Sequence, residues 1–147
     1  MFRVSVVLSL LLLSACASAP TQEMSDARQA VRAAHDAGAD QHAPVTLQEA
    51  ESKLDSAGTE LHMHNYRQAR KSALAAKVSA INAQDMAYAI GSAAAAVDKA
   101  RQHGVLSAEA EQLLNKARRV ASQGDVQTAV RLANEAKNLA EQDLRLD

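Results

Sequence analysis

The chain has 147 residues, of which 33 are alanine, with 16 basic and 17 acidic side chains, two tyrosines, one phenylalanine and no tryptophan. So balanced a charge excludes recruitment of nucleic acid by bulk charge, and so few aromatic residues exclude a core built on large rings. Alanine is the strongest helix former but buries little apolar area. The composition therefore predicts an all-α fold with a modest hydrophobic driving force per residue.

The first fifteen residues have the layout of a cleavable export signal. Arg3 supplies a positive charge, an apolar run follows over residues 4–13, and small residues come next. That run is about half as long as the roughly 20 apolar residues that cross a bilayer as a helix. We therefore expect residues 1–15 to be removed after export.

The only cysteine lies three residues after this apolar run. Leu13, Ser14, Ala15 and Cys16 resemble the lipobox of bacterial lipoproteins, in which leucine stands three positions before the cysteine and small residues lie between. The resemblance implies that the cysteine sulfur receives a diacylglyceryl group, that a peptidase cuts before the cysteine, and that the new amino group is acylated. Several acyl chains hold a protein on its membrane essentially permanently. Residues 16–22 then form the lipidated N-terminus and a short tether.

An ordinary soluble export signal is the alternative, because Ala15-Cys16-Ala17 and Ala17-Ser18-Ala19 also satisfy the small-x-small cleavage rule. A lone cysteine in an oxidising compartment favours lipidation. Ala17 occupies the position where the sorting rule of enteric Gram-negative lipoproteins requires aspartate for retention in the inner membrane. We therefore expect the periplasmic side of the outer membrane, with an inner-membrane lipoprotein or a soluble periplasmic protein as alternatives.

Apolar residues that recur every three or four positions predict about five helices. The first covers residues 23–37 and ends at Gly38, because glycine readily adopts the left-handed conformation that ends helices. A polar loop is predicted over residues 38–44, where Pro44 moves Ala43 out of helical geometry.

Two capping boxes are predicted around the second helix. Thr46 and Glu49 fit the T-x-x-E pattern at its start, and Asn65 and Gln68 fit the same kind of pattern after its end. The second helix is therefore expected to run from Thr46 to residues 62–64.

A central third helix is predicted from Tyr66 towards Gly104, because an alanine-rich stripe continues without a proline. At 1.5 Å per residue it would be roughly 55 Å long, and Gly91 is the position where it would bend or break first. Ser107 and Asp125 are expected to cap the fourth and fifth helices.

Parts of the chain match each other at an offset of sixty residues. Residues 65–80 match residues 125–140, which predicts two three-helix repeats, residues 23–90 and 91–147, that share the central helix. The expected architecture is an antiparallel helical bundle or short solenoid. Chance similarity between alanine-rich helices is the alternative.

A set of positions between residues 25 and 87 carries a family resemblance. They are Ala27-Arg28-Gln29-Ala30, Ala33-Ala34, Ala37-Gly38-Ala39, Ala43-Pro44, Leu47, Ala50, Lys53-Leu54, Ala57 and Tyr66-Arg67-Gln68-Ala69-Arg70. On these residues the first half resembles a bacterial lipoprotein family, the domain of unknown function numbered 4398, which assigns no activity. His42 departs from the tyrosine usual there. Some relatives carry a peptidoglycan-binding domain, whose strands the sequence after Gly104 does not predict.

Two groups of basic residues are candidates for a binding face. They are Arg67, Arg70, Lys71 and Lys77 on the central helix, and Lys116, Arg118 and Arg119 on the fourth helix. Such a face could orient the domain on anionic lipid head groups. The alternative is a solvated helix face.

The sequence contains no recognisable catalytic or metal-binding pattern. His62 and His64 are the only close histidine pair, and residues two apart on a helix face different directions. Two pairs of glutamates lie in first helical turns, where acidic residues favour the helix dipole. A nucleophile elbow and a glycine-rich phosphate loop are both lacking. We therefore expect no enzymatic activity, no cofactor and no metal.

These features together predict a non-catalytic, lipid-anchored envelope protein that acts by contact, with an envelope protein or with itself. A module that binds peptidoglycan or lipid head groups through its basic faces is the alternative. The glycines and Pro44 between the helices argue against a third possibility, a single long coiled coil.

Overall fold

The computed structural model describes residues 18–146, which contain helices and no strands. The helices are α1 (Thr21–Asp36), α2 (Ala39–His42), α3 (Pro44–His62), α4 (Tyr66–Gln102), α5 (Ala108–Ala121) and α6 (Val126–Asp143). The predicted all-α class is therefore confirmed, with six helices in this range in place of about five. The predicted signal and Leu13, Ser14, Ala15 and Cys16 lie outside the described residues.

Helix α4 organises the fold, because it contacts each of the other five helices. Its 37 residues make it about 55 Å long. Arg70 and Lys77 on α4 meet Glu23 and Asp26 on α1, which shows that α1 runs beside α4 in the same direction. Helices α3 and α4, like α5 and α6, are joined by short turns and pack extensively on each other.

The alanine stripe predicted for α4 forms its buried side. The following stripe residues are at most 1% exposed: Ala69, Ala73, Ala76, Ala80, Ala83, Ala87, Ile90 and Val97. Such small side chains let helix axes approach to the near end of the usual range of 8–10 Å. The stripe therefore explains why one helix can hold five neighbours.

Two clusters of buried apolar residues make up the core. The larger cluster draws residues from all six helices, and the smaller one consists of Met24, Ala27, Ala57, Ala73 and Ala76. We therefore expect a chain that begins at Ser18 to fold without the preceding residues.

The segment between α1 and α3 corrects one prediction and confirms another. The expected loop over residues 38–44 contains the short helix α2. Gly38 ends α1 with a left-handed φ of 81°, and Ala43 leaves helical geometry directly before Pro44, with φ −143°. The glycine and proline signals thus placed the two breaks correctly, but not the helical turn between them.

Both predicted capping boxes are wrong. Helix α3 begins at Pro44, two residues before Thr46. Proline is favoured at the first helical position because it has no N–H that would need a hydrogen-bond partner there. Thr46 is buried instead, and its hydroxyl has no hydrogen-bond partner among the described residues. Asn65 directly precedes α4, yet its side chain makes no capping hydrogen bond.

The caps predicted for the last two helices are confirmed. The Ser107 hydroxyl accepts a hydrogen bond from the Ala110 N–H at 3.4 Å, at the start of α5. Asp125 Oδ1 accepts from the Thr128 N–H at 3.1 Å, at the start of α6.

Gly91 does not break α4. Its replacement by alanine tests how much this glycine destabilises the helix. A Cβ at Gly91 would lie 3.8 Å from His42 Nε2, an ordinary contact distance. Because glycine in a helix interior costs about 1 kcal/mol relative to alanine, we expect Gly91→Ala to raise the free energy of unfolding by up to that amount. Urea denaturation followed by circular dichroism measures the change.

Gly104→Ala is the matched control. Gly104 has a φ of 75°, and a Cβ added there would lie in open space, so that alanine meets only backbone strain. We expect this variant to lose about 1 kcal/mol of stability. A Gly91→Ala variant that loses stability as well would contradict the account of α4.

Candidate functional site

Two of the four predicted basic residues on α4 are committed to holding α1. Arg70 Nε donates to Glu23 Oε1 at 2.6 Å, and Arg70 Nη2 donates to the Ser18 carbonyl oxygen at 3.2 Å. Lys77 Nζ donates to Asp26 Oδ2 at 2.9 Å. Arg70 and Lys77 therefore fasten α1 and the start of the described chain to α4, and they are poor candidates for a partner's contacts.

The acidic partners respond to these contacts. Hydrogen bonding to the backbone, followed by that to Arg70, lowers the pKa of Glu23. The hydrogen bond from Lys77, followed by that from Gln22, lowers the pKa of Asp26. A lowered carboxyl pKa contributes stability that is present above the unfolded value and lost as the pH falls through the folded value. The junction of α1 and α4 is therefore strongest near neutral pH and weakens in acid.

The other two basic residues, Arg67 and Lys71, are exposed and form no ion pair with any residue in the range 18–146. They lie on the side of α4 that faces solvent. The same side carries four exposed apolar residues, which we call the outer stripe: Leu74, Val78, Ile81 and Tyr88. The open part of the predicted face is thus both basic and apolar.

The outer stripe is missing from the sequence-based predictions, because these followed only the alanine series of α4. A second series with the same spacing of three and four residues runs along the opposite side of the helix. On a surface helix one apolar series is expected, so a second series is a signal for a second contact surface. That signal was present in the sequence.

The basic group on α5 does not form one face. At about 100° per residue, Arg118 is turned by roughly 200° from Lys116, and only Lys116 and Arg119 are neighbours on the helix surface. Arg118 lines a cleft whose other residues are Gln41, His42, Pro44 and Ser122. Burial, with a smaller effect of Arg118, lowers the pKa of His42. Arg118 thus faces the α2–α3 junction.

The structure does not bring the two basic groups together. Arg67 and Lys71 lie in the first turns of α4, whereas Arg101, in the last turn of α4, pairs with Glu111 in the first turn of α5 at 2.9 Å. A single binding face that includes both groups is therefore not formed.

An unpredicted polar cluster joins α1, α2 and α3. His35 Nδ1 lies 3.0 Å from Asp40 Oδ1, and His35 Nε2 lies 2.9 Å from Glu51 Oε1. Only a protonated imidazole donates from both ring nitrogens. Asp40, followed by Glu51, raises the pKa of His35 against an opposing effect of burial. The cluster was missed because its residues belong to α1, α2 and α3, so that no sequence spacing relates them.

The raised pKa of His35 predicts a stability effect that depends on pH. Its contribution is fully present below the unfolded value near 6.5 and is lost as the pH rises through the higher folded value. We therefore expect His35→Gln to destabilise the protein more at pH 5.5 than at pH 9, by a few tenths of a kcal/mol, because exposed ion pairs contribute little. Urea denaturation at both pH values measures the difference.

The free energy of unfolding of each variant is compared with that of the parent at the same pH. His42, whose pKa is lowered and not raised, is present in both proteins, so its contribution cancels. Glu51→Gln is the matched control, since it removes one negative charge beside His35 and keeps the imidazole. We expect it to reproduce part of the pH dependence. An equal effect of His35→Gln at both pH values would contradict this reading of the cluster.

His62 and His64, the close histidine pair, lie at the α3–α4 turn. His64 Nδ1 lies 3.0 Å from the Tyr66 hydroxyl, and the two rings meet edge to face. Within residues 18–146, no three histidine, cysteine or acidic side chains are arranged to hold a metal ion. None of the helices in the same range combines the length and the apolar character needed to cross a bilayer.

The sequence model of the family described as Domain of unknown function (DUF4398) matches residues 22–99. The match includes nearly all of α1, all of α2 and α3, and α4 up to its last turn. No curated protein and no solved structure matches the chain. Because the matched residues make up more than half of the sequence, the chain belongs to the DUF4398 family.

Proposed function

We propose that this chain is a non-catalytic, lipid-anchored envelope protein that serves as a protein-interaction or structural adaptor on the periplasmic side of the outer membrane. One observation supports the anchoring: the residues Leu13 to Cys16, at the end of a ten-residue apolar run, match the lipobox pattern. The exposed apolar and basic side chains on its alanine-rich helices support a role in binding another protein or a second copy of the chain.

The start of the described chain supports a close attachment to the bilayer. The Ser18 carbonyl is held by Arg70, in the second turn of α4. Only Ala17 lies between Cys16 and Ser18 in the sequence, and these two residue steps span at most about 7 Å of extended chain. A lipid on Cys16 would therefore keep the first turns of α4, with Arg67 and Lys71, close to the head groups.

We also infer that the helices form the two repeats, residues 23–90 and 91–147. The matching residues 65–80 and 125–140 begin at the starts of α4 and α6, and each segment follows a turn after a shorter helix. Because both segments bury the alanines of their matching positions, their similarity fits a common packing role.

Mass spectrometry of the mature N-terminus tests the anchoring. The protein is extracted from the membrane fraction, digested and searched for its first peptide. We expect this peptide to begin at Cys16 and to carry a diacylglyceryl group on the sulfur and an acyl group on the amine. A peptide that begins beyond residue 16, or an unmodified Cys16, would overturn the proposal.

A second candidate function is the binding of peptidoglycan or lipid head groups. The exposure of Arg67 and Lys71 at the end of α4 nearest the proposed anchor favours it. Co-sedimentation with purified sacculi, and with anionic vesicles, separates the two ligands. Electrostatic binding should weaken as salt rises, and it should be lost in the double variant Arg67→Gln, Lys71→Gln. The matched control is Lys116→Gln, Arg119→Gln.

A further inference from the structure

Exposed apolar side chains are concentrated on the outer stripe of α4. Seven large apolar side chains are exposed within residues 18–146, and four of them are the stripe residues, with exposed fractions of 40–58%. Single apolar residues on a surface need no explanation, whereas a row of them indicates a contact surface. The remaining three lie elsewhere: Val45 on α3, Met63 in the turn after α3, and Leu146 after the end of α6.

The stripe belongs to a regular series along the helix. Its positions alternate in steps of four and three residues: Arg67, Lys71, Leu74, Val78, Ile81, Asp85 and Tyr88. The series covers three heptads, or about 32 Å. A repeat of 3.5 residues keeps a seam facing one partner helix over that length. The spacing therefore fits another long helix that packs along the outer stripe.

Charges near the ends of the series decide the orientation of that helix. Arg67 and Lys71 at the beginning and Asp85 near the end are all exposed, and none pairs with another residue in the described part of the chain. In a parallel pair of α4 helices, each of these charges would face its own copy, which is unfavourable. In an antiparallel pair centred between Leu74 and Val78, Arg67 lies opposite Asp85 of the second copy.

We propose that a second copy of this chain covers the outer stripe, and that α4 pairs antiparallel with α4 of that copy. In this register Leu74 lies opposite Val78 of the second copy, and the two-fold axis repeats the contact. Lys71 lies opposite Ile81 of the second copy, where its methylene chain covers apolar surface while the ammonium group stays near Asp85 of that copy. The ion pairs between Arg67 and Asp85 flank these contacts at both ends, and Tyr88 lies beyond them.

This inference rests on the proposed function only in that it names the partner for contact. It does not depend on the lipid anchor, and a chain without the anchor is sufficient to test it. Failure of the dimer would leave the anchoring intact, and the mass of the mature N-terminus would still decide the anchoring separately.

Sedimentation of a chain that begins at Ser18 tests the dimer. We expect a monomer–dimer equilibrium, and we expect Val78→Lys to weaken it by about a hundredfold, because two desolvated ammonium groups would enter the centre of the seam. Val45→Lys, an exposed valine on α3, is the matched control and should leave the equilibrium unchanged. Circular dichroism of the diluted variants checks that both remain folded.

Charge reversal tests the orientation. Arg67→Glu and Asp85→Lys should each weaken the dimer about tenfold, because each converts two attractive contacts into repulsive ones. The double variant Arg67→Glu, Asp85→Lys should recover most of the parent affinity. A parallel pair predicts no such recovery, since like charges would face each other in every variant.

Three results would overturn the proposal. The parent chain could remain monomeric at all concentrations, the Val78→Lys dimer could be as strong as the parent's, or the charge variants could fail to recover. If the chain stays monomeric and binds anionic vesicles, and Val78→Lys abolishes that binding, the outer stripe contacts the membrane surface and not a second copy.

Discussion

Replacement of Cys16 by serine is expected to abolish lipid attachment and processing at residue 16. The reason is chemical: the diacylglyceryl group is expected on a thiol sulfur, and Cys16 is the only cysteine in the chain. Acyl chains contribute about 0.8 kcal/mol for each buried methylene, so the loss of all of them removes the proposed anchor entirely. Incorporation of labelled palmitate, mobility on gels and membrane fractionation of the full-length chain measure the effect.

Ser14→Ala is the matched control, because alanine keeps a small residue inside the lipobox. We expect this variant to be labelled, processed and retained like the parent. A Cys16→Ser chain that still incorporates label, or that is cut at the same position and stays in the membrane fraction, would contradict the proposed anchor. A Cys16→Ser chain cut at the small residues after Cys16 and released from membranes would agree with it.

The second large effect is expected inside the bundle, where Ile90→Ala should cost about 2–5 kcal/mol of unfolding free energy. Ile90 is fully buried and is among the largest side chains in a core composed mostly of alanine. It belongs to the cluster shared by all six helices, so the cavity would weaken several helix contacts at once. Because domains of this size are stable by about 5–15 kcal/mol, a large part of the total would be lost.

Ile81→Ala provides a closely matched control, since it makes the same chemical change on the same helix at a side chain that is 40% exposed. At protein concentrations low enough to avoid association, we expect Ile81→Ala to cost less than about 1 kcal/mol. Urea denaturation of both variants gives the comparison. Equal losses of unfolding free energy in the two variants would contradict the assignment of Ile90 to the core and of Ile81 to the surface.

Most helix boundaries could be predicted from the sequence because they depend on neighbours in the chain. Gly38 ends α1, Ser107 and Asp125 cap α5 and α6, and the alanine stripe sets the buried side of α4. Each of these features acts within about one helical turn. The capping box at Thr46 failed for the same kind of reason, because Pro44 offered a helix start two residues earlier.

The candidate site was predicted only in part. Four basic residues on α4 were expected to act together, and the structure divides them, because Glu23 and Asp26 on α1 take Arg70 and Lys77. That division depends on which helix packs beside α4. The spacing of residues within α4 carries no information on it.

The sequence by itself determined the all-α class, the long central helix and its alanine-lined buried side, since helix propensity and periodicity are local properties of the chain. It also contains the cysteine on which the proposed anchor depends. Only the tertiary structure decided which charges pair, that His35 joins three helices, and that the outer stripe remains uncovered within residues 18–146. These outcomes require contacts between residues far apart in the chain, and such contacts exist only after the helices have packed.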